Sequence, residues 1–405
     1  MLHTPPLDLG PIAPELILVG VAIVVLLADA IFRDVNRVAL LLLSLAGVAG
    51  AAATSLLLWN RTRAATVLGG TVIADRYSVV ARLLILAVAA VALLLGTHYF
   101  GRVGETRGEL YPLLLFATAG MTLITAAADL IVMFLALEIL SLALYVLTGF
   151  SFRLSANEAA VKYFLLGAFS SAFFLYGVAL AYGATGTTHL LAGGDGHAGI
   201  VNVLQGKAGA PALALVAMGL LVVGFAFKVA AVPFHMWTPD VYQGAPTAVT
   251  AFMSAGTKIA AFAALIRVLD VGFQPLTWDW TPIVIVLAAV TVVVGSVLAI
   301  AQTDIKRLLA YSSIAHAGFI LIGLSAANQD GIQAALFYLL TYSVMILGAF
   351  GVVMLVSYRG EDRTAIGSYA GLARRSPLLA GLMTLFLLSA AGIPPAAGFI
   401  AKVTV

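Results

Sequence analysis

No cysteine occurs among the 405 residues. Its absence excludes disulfides, thiolate metal sites, cysteine-held iron–sulfur clusters and thiol nucleophiles. Charge is scarce as well: only 10% of the residues are Asp, Glu, Lys or Arg. A soluble chain of this length could not cover its surface with so little charge. No two histidines stand at metal-ligand spacing, and no carboxylate cluster offers a cation cage. The Gly-rich run at Gly193, Gly194, Asp195 and Gly196 lacks the Lys-Ser/Thr ending of a phosphate cradle and reads as a flexible loop.

What is present is apolar. Hydrophobic residues make up 62% of the chain and the mean hydropathy is +1.09, so lipid is the solvent for most of it. A bilayer core about 30 Å thick needs roughly 20 apolar residues per helix. By that measure about twelve spans are expected, near 12–32, 38–58, 78–100, 110–127, 129–150, 158–183, 211–243, 246–269, 281–301, 307–325, 331–357 and 377 onward. The fold class is therefore an all-α polytopic membrane protein. The first span is too long for a signal-peptide core and is followed by Arg33 and Arg37, so it reads as a retained helix with its N-terminus outside. Alternate loops carry Arg33, Arg37, Arg102, Arg107, Arg153, Lys306, Arg307, Arg359, Arg363, Arg374 and Arg375, against Arg61, Arg63, Arg76 and Lys207 opposite, which puts the first group in the cytoplasm. The net charge of +3 is spread among loops rather than clustered beside aromatics, which argues against nucleic acid as a partner. Membrane lipid is the expected surrounding.

Two spans break the pattern. The seventh is too long for one straight helix and is interrupted at Pro233 and Pro239, and the twelfth contains Gly392, Pro394 and Pro395. A matched pair of discontinuous helices points to repeats around a transport path.

The cations are sorted by chemistry. Of the 15 arginines only Arg82 and Arg267 fall within spans, near helix ends, and read as interfacial anchors. Four of the six lysines, Lys162, Lys228, Lys258 and Lys402, lie inside spans. Lysine removed from water can release its proton whereas arginine cannot, so lysine at depth suits proton handling. Lys162, at a helix start, equally suits snorkelling to the interface. Glu138 falls mid-span with Ser141 and Tyr145 on its face, and Lys258 shares a stripe with Thr250, Ser254 and Thr257. Glu138 and Lys228 fit either a static ion pair between helices or a working path. His316, sharing a face with Ser312, and His235, after the Pro233 break, are candidate relays or core histidines. Asp29, Asp129 and Asp240 sit at helix ends, where solvation is expected.

Several runs carry a resemblance. They are Leu137-Glu138-Ile139-Leu140-Ser141-Leu142, Glu158-Ala159-Ala160-Val161-Lys162-Tyr163, Lys228 through Tyr242, Gly256-Thr257-Lys258, Asp304 through His316, and Gly392-Ile393-Pro394-Pro395 through Lys402. In family order, these resemble the N subunit of proton-pumping NADH:quinone oxidoreductase, respiratory complex I. The resemblance implies antiporter-like inverted repeats: residues 1–109 as three leading helices, 110–270 as a first five-helix repeat and 271–405 as a second. It also implies that Glu138 pairs with Lys228, that Lys258 is the central relay, and that Lys402 is the counterpart on the second broken helix. The path would run from Lys228 through Lys258 and His316 to Lys402.

It further implies no cofactor in this chain, with NADH, FMN, iron–sulfur clusters and quinone held by other subunits. The partners would be membrane-arm subunits of M and K type, and the location a bacterial plasma (inner) membrane. A stand-alone Mrp-like sodium/proton antiporter is the alternative. The family normally continues for two more helices after the broken twelfth, so an end at Val405 reads as a truncation of the second repeat.

Overall fold

The computed structural model describes residues 8–32, 36–60, 65–105, 107–193, 198–206, 209, 211–357 and 363–405. Arg33, Arg61, Arg63, Gly194, Asp195, Gly196, Lys207 and Arg359 lie outside the described residues.

Apolar length dictates the elements. Helices α1 (Ala13–Ile31), α2 (Arg37–Leu57), α3 (Arg76–Val103), α4 (Leu110–Ala126), α5 (Leu130–Thr148) and α6 (Leu154–Thr185) follow one another with short connections. After α7 (Ile200–Gln205) come α8 (Pro211–Val229), α9 (Trp237–Gly244), α10 (Thr247–Ile266), α11 (Thr277–Ile300), α12 (Ile305–Ser325) and α13 (Gln329–Val356). The short α14 (Leu372–Arg375) precedes α15 (Pro377–Ala391) and α16 (Ala397–Thr404). Ten of these helical stretches are long and apolar enough to cross a membrane, and Leu110–Ala126 and Pro377–Ala391 are shorter apolar helices, so the twelve expected spans each find a helix. A small antiparallel hairpin, β1 (Ala65–Val67) and β2 (Val72–Ala74), covers one end.

Polar residues mark the helix starts. Asp129, Asp304 and Asn328 each accept backbone N–H bonds at the N-termini of α5, α12 and α13, and Asp75 with Ser78 forms a capping box on α3. The expectation of plain solvation for Asp129 fails for this reason: it is 3% exposed and also accepts from the Thr188 hydroxyl at 2.5 Å.

Helix α10 is the hub. All its residues from Thr247 to Ile266 are buried, and it packs against α3, α4, α8, α12 and α13. A helix buried on every side lies in the middle of a bundle, and the middle of this one carries Lys258 on its polar stripe.

The interfacial reading of the two in-span arginines is corrected. Arg82 is fully buried, with Nη2 donating to Pro11 O at 2.9 Å and lying 3.0 Å from Glu15 Oε1 of α1. Arg267 is 3% exposed and grips Asp75 through Nη1 and Nη2 at 2.9 and 3.0 Å, while Nη2 also donates to Thr125 O at 3.1 Å. A charge this far from water persists only when paired, and each pair fastens an early helix to the bundle.

The Asp75–Arg267 latch sets a pH dependence. Burial opposes ionisation of the Asp75 carboxyl, but the Arg267 guanidinium outweighs it and holds the group below the usual carboxylate range. The contact is thus fully stabilising above about pH 4, the unfolded value, and fades as pH falls through the lower folded value. Asp75→Asn is expected to flatten the acid limb of the thermal-unfolding midpoint below about pH 4. An acid limb unchanged from the parent would count against the latch.

Candidate functional site

The first break falls before Pro233 and the second at Gly392, as expected, whereas Pro239 interrupts nothing: it sits in the first turn of α9, where its missing N–H has no helical partner to lose. Helix α8 ends at Val229, Ala230 takes a left-handed φ of +64°, and α9 resumes at Trp237. The freed backbone groups of the break have partners: Trp237 Nε1 donates to Phe227 O at 2.8 Å and Val232 N donates to Thr291 Oγ1 at 3.0 Å. Helix α15 ends at Gly392, with φ +81°, and α16 begins at Ala397. The left-handed φ favours glycine at 392, and a β-carbon there would sit 2.9 Å from Lys402 Cδ, so the lysine would have to shift.

Three expected lysines line up with these breaks. Lys228, 3% exposed in the last turn of α8, donates to Ser141 Oγ at 2.8 Å and faces the rings of Tyr145 and Tyr163 at 5.7 and 5.3 Å. Tyr163 is in turn stacked on Trp237 at 4.6 Å, so the break itself builds one wall of the lysine's enclosure. Lys258, 1% exposed, reaches across from α10 to two backbone carbonyls, Val229 O at 3.2 Å and Ser313 O at 2.5 Å. Lys402 does the same at the second break, donating to Ala390 O at 2.8 Å and Ala391 O at 3.1 Å, with its ammonium 4.8 Å from the Phe319 ring.

Glu138 lies at the edge of this row. Its Oε1 accepts from Ser171 Oγ of α6 at 2.5 Å. Glu138 and Lys228 make no direct ion pair: the lysine bonds Ser141, one turn along α5, whose hydroxyl donates to Leu137 O, while the carboxylate accepts from Ser171 of α6.

His316, 4% exposed, hydrogen-bonds through Nδ1 with the Tyr338 hydroxyl at 2.7 Å. Its ring lies 5.3 Å from that of Tyr342, whose hydroxyl donates to Ser313 Oγ at 2.7 Å. Ser313 thus touches Lys258 with its carbonyl and Tyr342 with its side chain. His316 and Lys402 both line a cavity of about 430 Å³ between α11, α12 and α15, with Ser296 and Ser312 among its polar walls. His235 stands apart from this row, half-buried in the first break, where its carbonyl accepts from Thr238 N at 2.9 Å.

The structure adds members that the sequence reading passed over. Tyr338 and Tyr342 are both buried on α13 at an i, i+4 spacing that was available as a signal in an otherwise apolar span. Ser171 and Ser313 had no such signal. Lys306, counted with the loop cations, is 1% exposed and donates to Ala245 O at 2.5 Å, because the end of α9 folds over the start of α12.

Chemically, the row is a succession of amines, hydroxyls and an imidazole inside a lipid-solvated bundle, each able to give or take a proton. They are held by carbonyls and hydroxyls, and among the described residues no group of three or more His, Asp or Glu side chains could hold a metal ion.

Comparison with known proteins gives the family. The family described as NADH:quinone oxidoreductase/Mrp antiporter, transmembrane, matches residues 127–405. The NADH-quinone oxidoreductase subunit N of Trichlorobacter lovleyi is 45% identical over 398 residues, covering 98% of this chain and 80% of that protein. Among solved structures, a chain of respiratory complex I from Thermus thermophilus superposes with a TM-score of 0.76 at 38% identity, over 96% of this chain and 81% of that one. A chain of the Mrp complex from Dietzia has a TM-score of 0.78 at 22% identity, over 98% of this chain and 74% of that one, a likeness of fold alone.

Proposed function

The chain belongs to the NADH:quinone oxidoreductase/Mrp antiporter transmembrane family, and from that premise we propose that it conducts protons along the row Glu138, Lys228, Lys258, His316 and Lys402. It is a membrane-arm subunit of NADH:quinone oxidoreductase, and its activity is part of that complex's proton-translocating activity. The observation that carries the proton reading is the lodging of Lys258 and Lys402. Lys402 is held by two carbonyls at the end of a broken helix, at 2.8 and 3.1 Å, and Lys258 by one such carbonyl, Val229 O at 3.2 Å, and by Ser313 O of the unbroken α12 at 2.5 Å.

In this reading Lys228 takes a proton within the aromatic enclosure at the first break. Lys258 receives it at the hub. The Ser313, Tyr342, Tyr338 and His316 groups carry it toward the cavity that contains Lys402. His235 would lie at the entrance side of the first break. Glu138 biases the charge on Lys228 through space, from the neighbouring turn of α5. Residues 110–270 and 271–405 would act as two related units, each with one broken helix, behind the leading helices of 1–109. Electrons and quinone would be handled by neighbouring subunits, which shift the lysines' proton affinities through packed contacts. Of these neighbours, those of M and K type are the proposed direct contacts. The distribution of basic residues supports an N-terminus outside, and a bacterial plasma membrane is the proposed location.

Glu138→Gln in the assembled complex tests the path. A charge interaction of about 1.4 kcal/mol shifts an equilibrium tenfold. We expect proton translocation per electron pair to fall by about that factor with the complex assembled. Full pumping in the variant would remove Glu138 from the mechanism, and loss of assembly would give it a structural role instead. Sodium-for-proton exchange by the purified chain in liposomes would favour the stand-alone antiporter reading.

A further inference from the structure

Helices α6 and α9 enclose a groove that the proton row does not use. At one end it is a polar cleft of about 330 Å³ lined by Glu158, Lys162, Asp240 and Arg307. One turn further along α6 it becomes an apolar cavity of about 280 Å³, walled by Leu166, Phe169 and Phe173 and by Phe227, Phe234 and Trp237. The two parts share one face: Glu158, Lys162, Leu166, Phe169 and Phe173 recur at helical spacing, as do Met236, Asp240 and Gly244 on the facing chain. Phe169 and Met236 at the mouth are 66% and 70% exposed, so in a membrane the cavity opens onto lipid.

The charges of the cleft balance. Lys162 Nζ lies 2.7 Å from Glu158 Oε1 and 3.1 Å from Asp240 Oδ2, and Arg307 Nη1 lies 2.6 Å from Asp240 Oδ1. These four side chains remain 31–62% exposed, which leaves donors and acceptors facing the cleft. Two anions and two cations side by side match a headgroup that carries both signs, whereas a purely anionic headgroup would meet repulsion from Glu158 and Asp240. Helix α6 has 32 residues, about 48 Å of helix, so its first turns reach the level of the headgroups. From Lys162 to Phe173 the rise is about 16 Å, the reach of an acyl chain of roughly a dozen carbons.

We propose that this groove is a binding site for one zwitterionic aminophospholipid, of phosphatidylethanolamine type. The phosphate sits against Lys162 and Arg307, the ammonium against Glu158 and Asp240, and one acyl chain fills the aromatic cavity behind the first helix break. The proposal requires only that the chain spans a membrane and stands or falls apart from the proton path.

The test places the assembled complex in nanodiscs of phosphatidylethanolamine and phosphatidylglycerol in equal parts, with one of the two carrying a photoactivatable group in its acyl chain. Labelled peptides are then mapped by mass spectrometry. Phosphatidylethanolamine is expected to label peptides containing Phe169, Phe173 and Phe234 about fivefold above phosphatidylglycerol. Ser170→Trp, which fills the cavity, should reduce that labelling to the level of the lipid-facing side of α11. Glu158→Lys, at an exposed position that does not disturb packing, should reverse the preference toward phosphatidylglycerol. Equal labelling by both lipids at the level of α11 would overturn the proposal. So would a cross-link from a photoreactive residue at position 169 to another polypeptide, which would make the groove a subunit contact.

Discussion

Lys258→Met is expected to lower proton translocation by the assembled complex at least about 100-fold, the scale on which a positioned proton-transfer group contributes. The variant keeps the length of the side chain and the packing of a helix in which every neighbour is buried, but removes the exchangeable proton. Lys258→Arg makes the complementary test. It keeps the positive charge and the donors that Val229 O and Ser313 O accept at 3.2 and 2.5 Å, but cannot give the proton up. The two variants together separate charge from proton exchange: both should lose pumping while the complex stays assembled, as judged by gel mobility and retained NADH oxidation by extrinsic electron acceptors. Pumping retained in the arginine variant would reduce Lys258 to a fixed charge. Pumping retained in the methionine variant would remove it from the path.

The largest loss of stability is expected from Arg82→Ala. Arg82 is fully exposed to nothing but protein, and its Nη2 is the partner of Glu15 at 3.0 Å and of Pro11 O at 2.9 Å. Removing it leaves a carboxylate buried between α1 and α3 without a counter-charge, which costs roughly 3–5 kcal/mol. That is a large part of the 5–15 kcal/mol or so by which folded proteins are ordinarily stable. The unfolding midpoint and the amount of assembled complex in the membrane should both fall clearly. The paired change Arg82→Met with Glu15→Leu should recover most of the loss, because the penalty belongs to the stranded charge and not to the missing contact. Failure of the double variant to recover would mean that the pair's geometry, not its neutrality, holds the early helices in place.

Much of this was legible in the chain itself. The spans, both breaks and the three lysines could be read because hydropathy, proline and intramembrane charge are local signals, each visible within a window of some 20 residues. Glu15 and Arg82 could not be matched because they lie 67 residues apart, and nothing in either neighbourhood names the other. Lys306 read as a loop cation beside Asp304 and Arg307, and only the tertiary fold of α9 across α12 buries it. That Glu138 and Lys228 turn to separate partners was hidden for a different reason. Sequence spacing gives the face of a helix but not the direction a side chain takes from it, and here two serines decide which way each charged group turns.

The carbonyl lodgings of Lys258 and Lys402 have a consequence for reversibility. A carboxylate partner would hold an ammonium firmly and, once the proton left, would remain as an unpaired anion in a medium that punishes one severely. The carbonyl end of a half-helix carries only a fraction of a charge, about half an elementary unit shared over its last turn. It welcomes the cation without demanding it, and a neutral amine in the same place leaves no ion behind. In the proposed proton path, the ends of broken helices would thus let Lys402, and Lys258 on its Val229 side, pass between charged and neutral forms without leaving an unpaired ion behind.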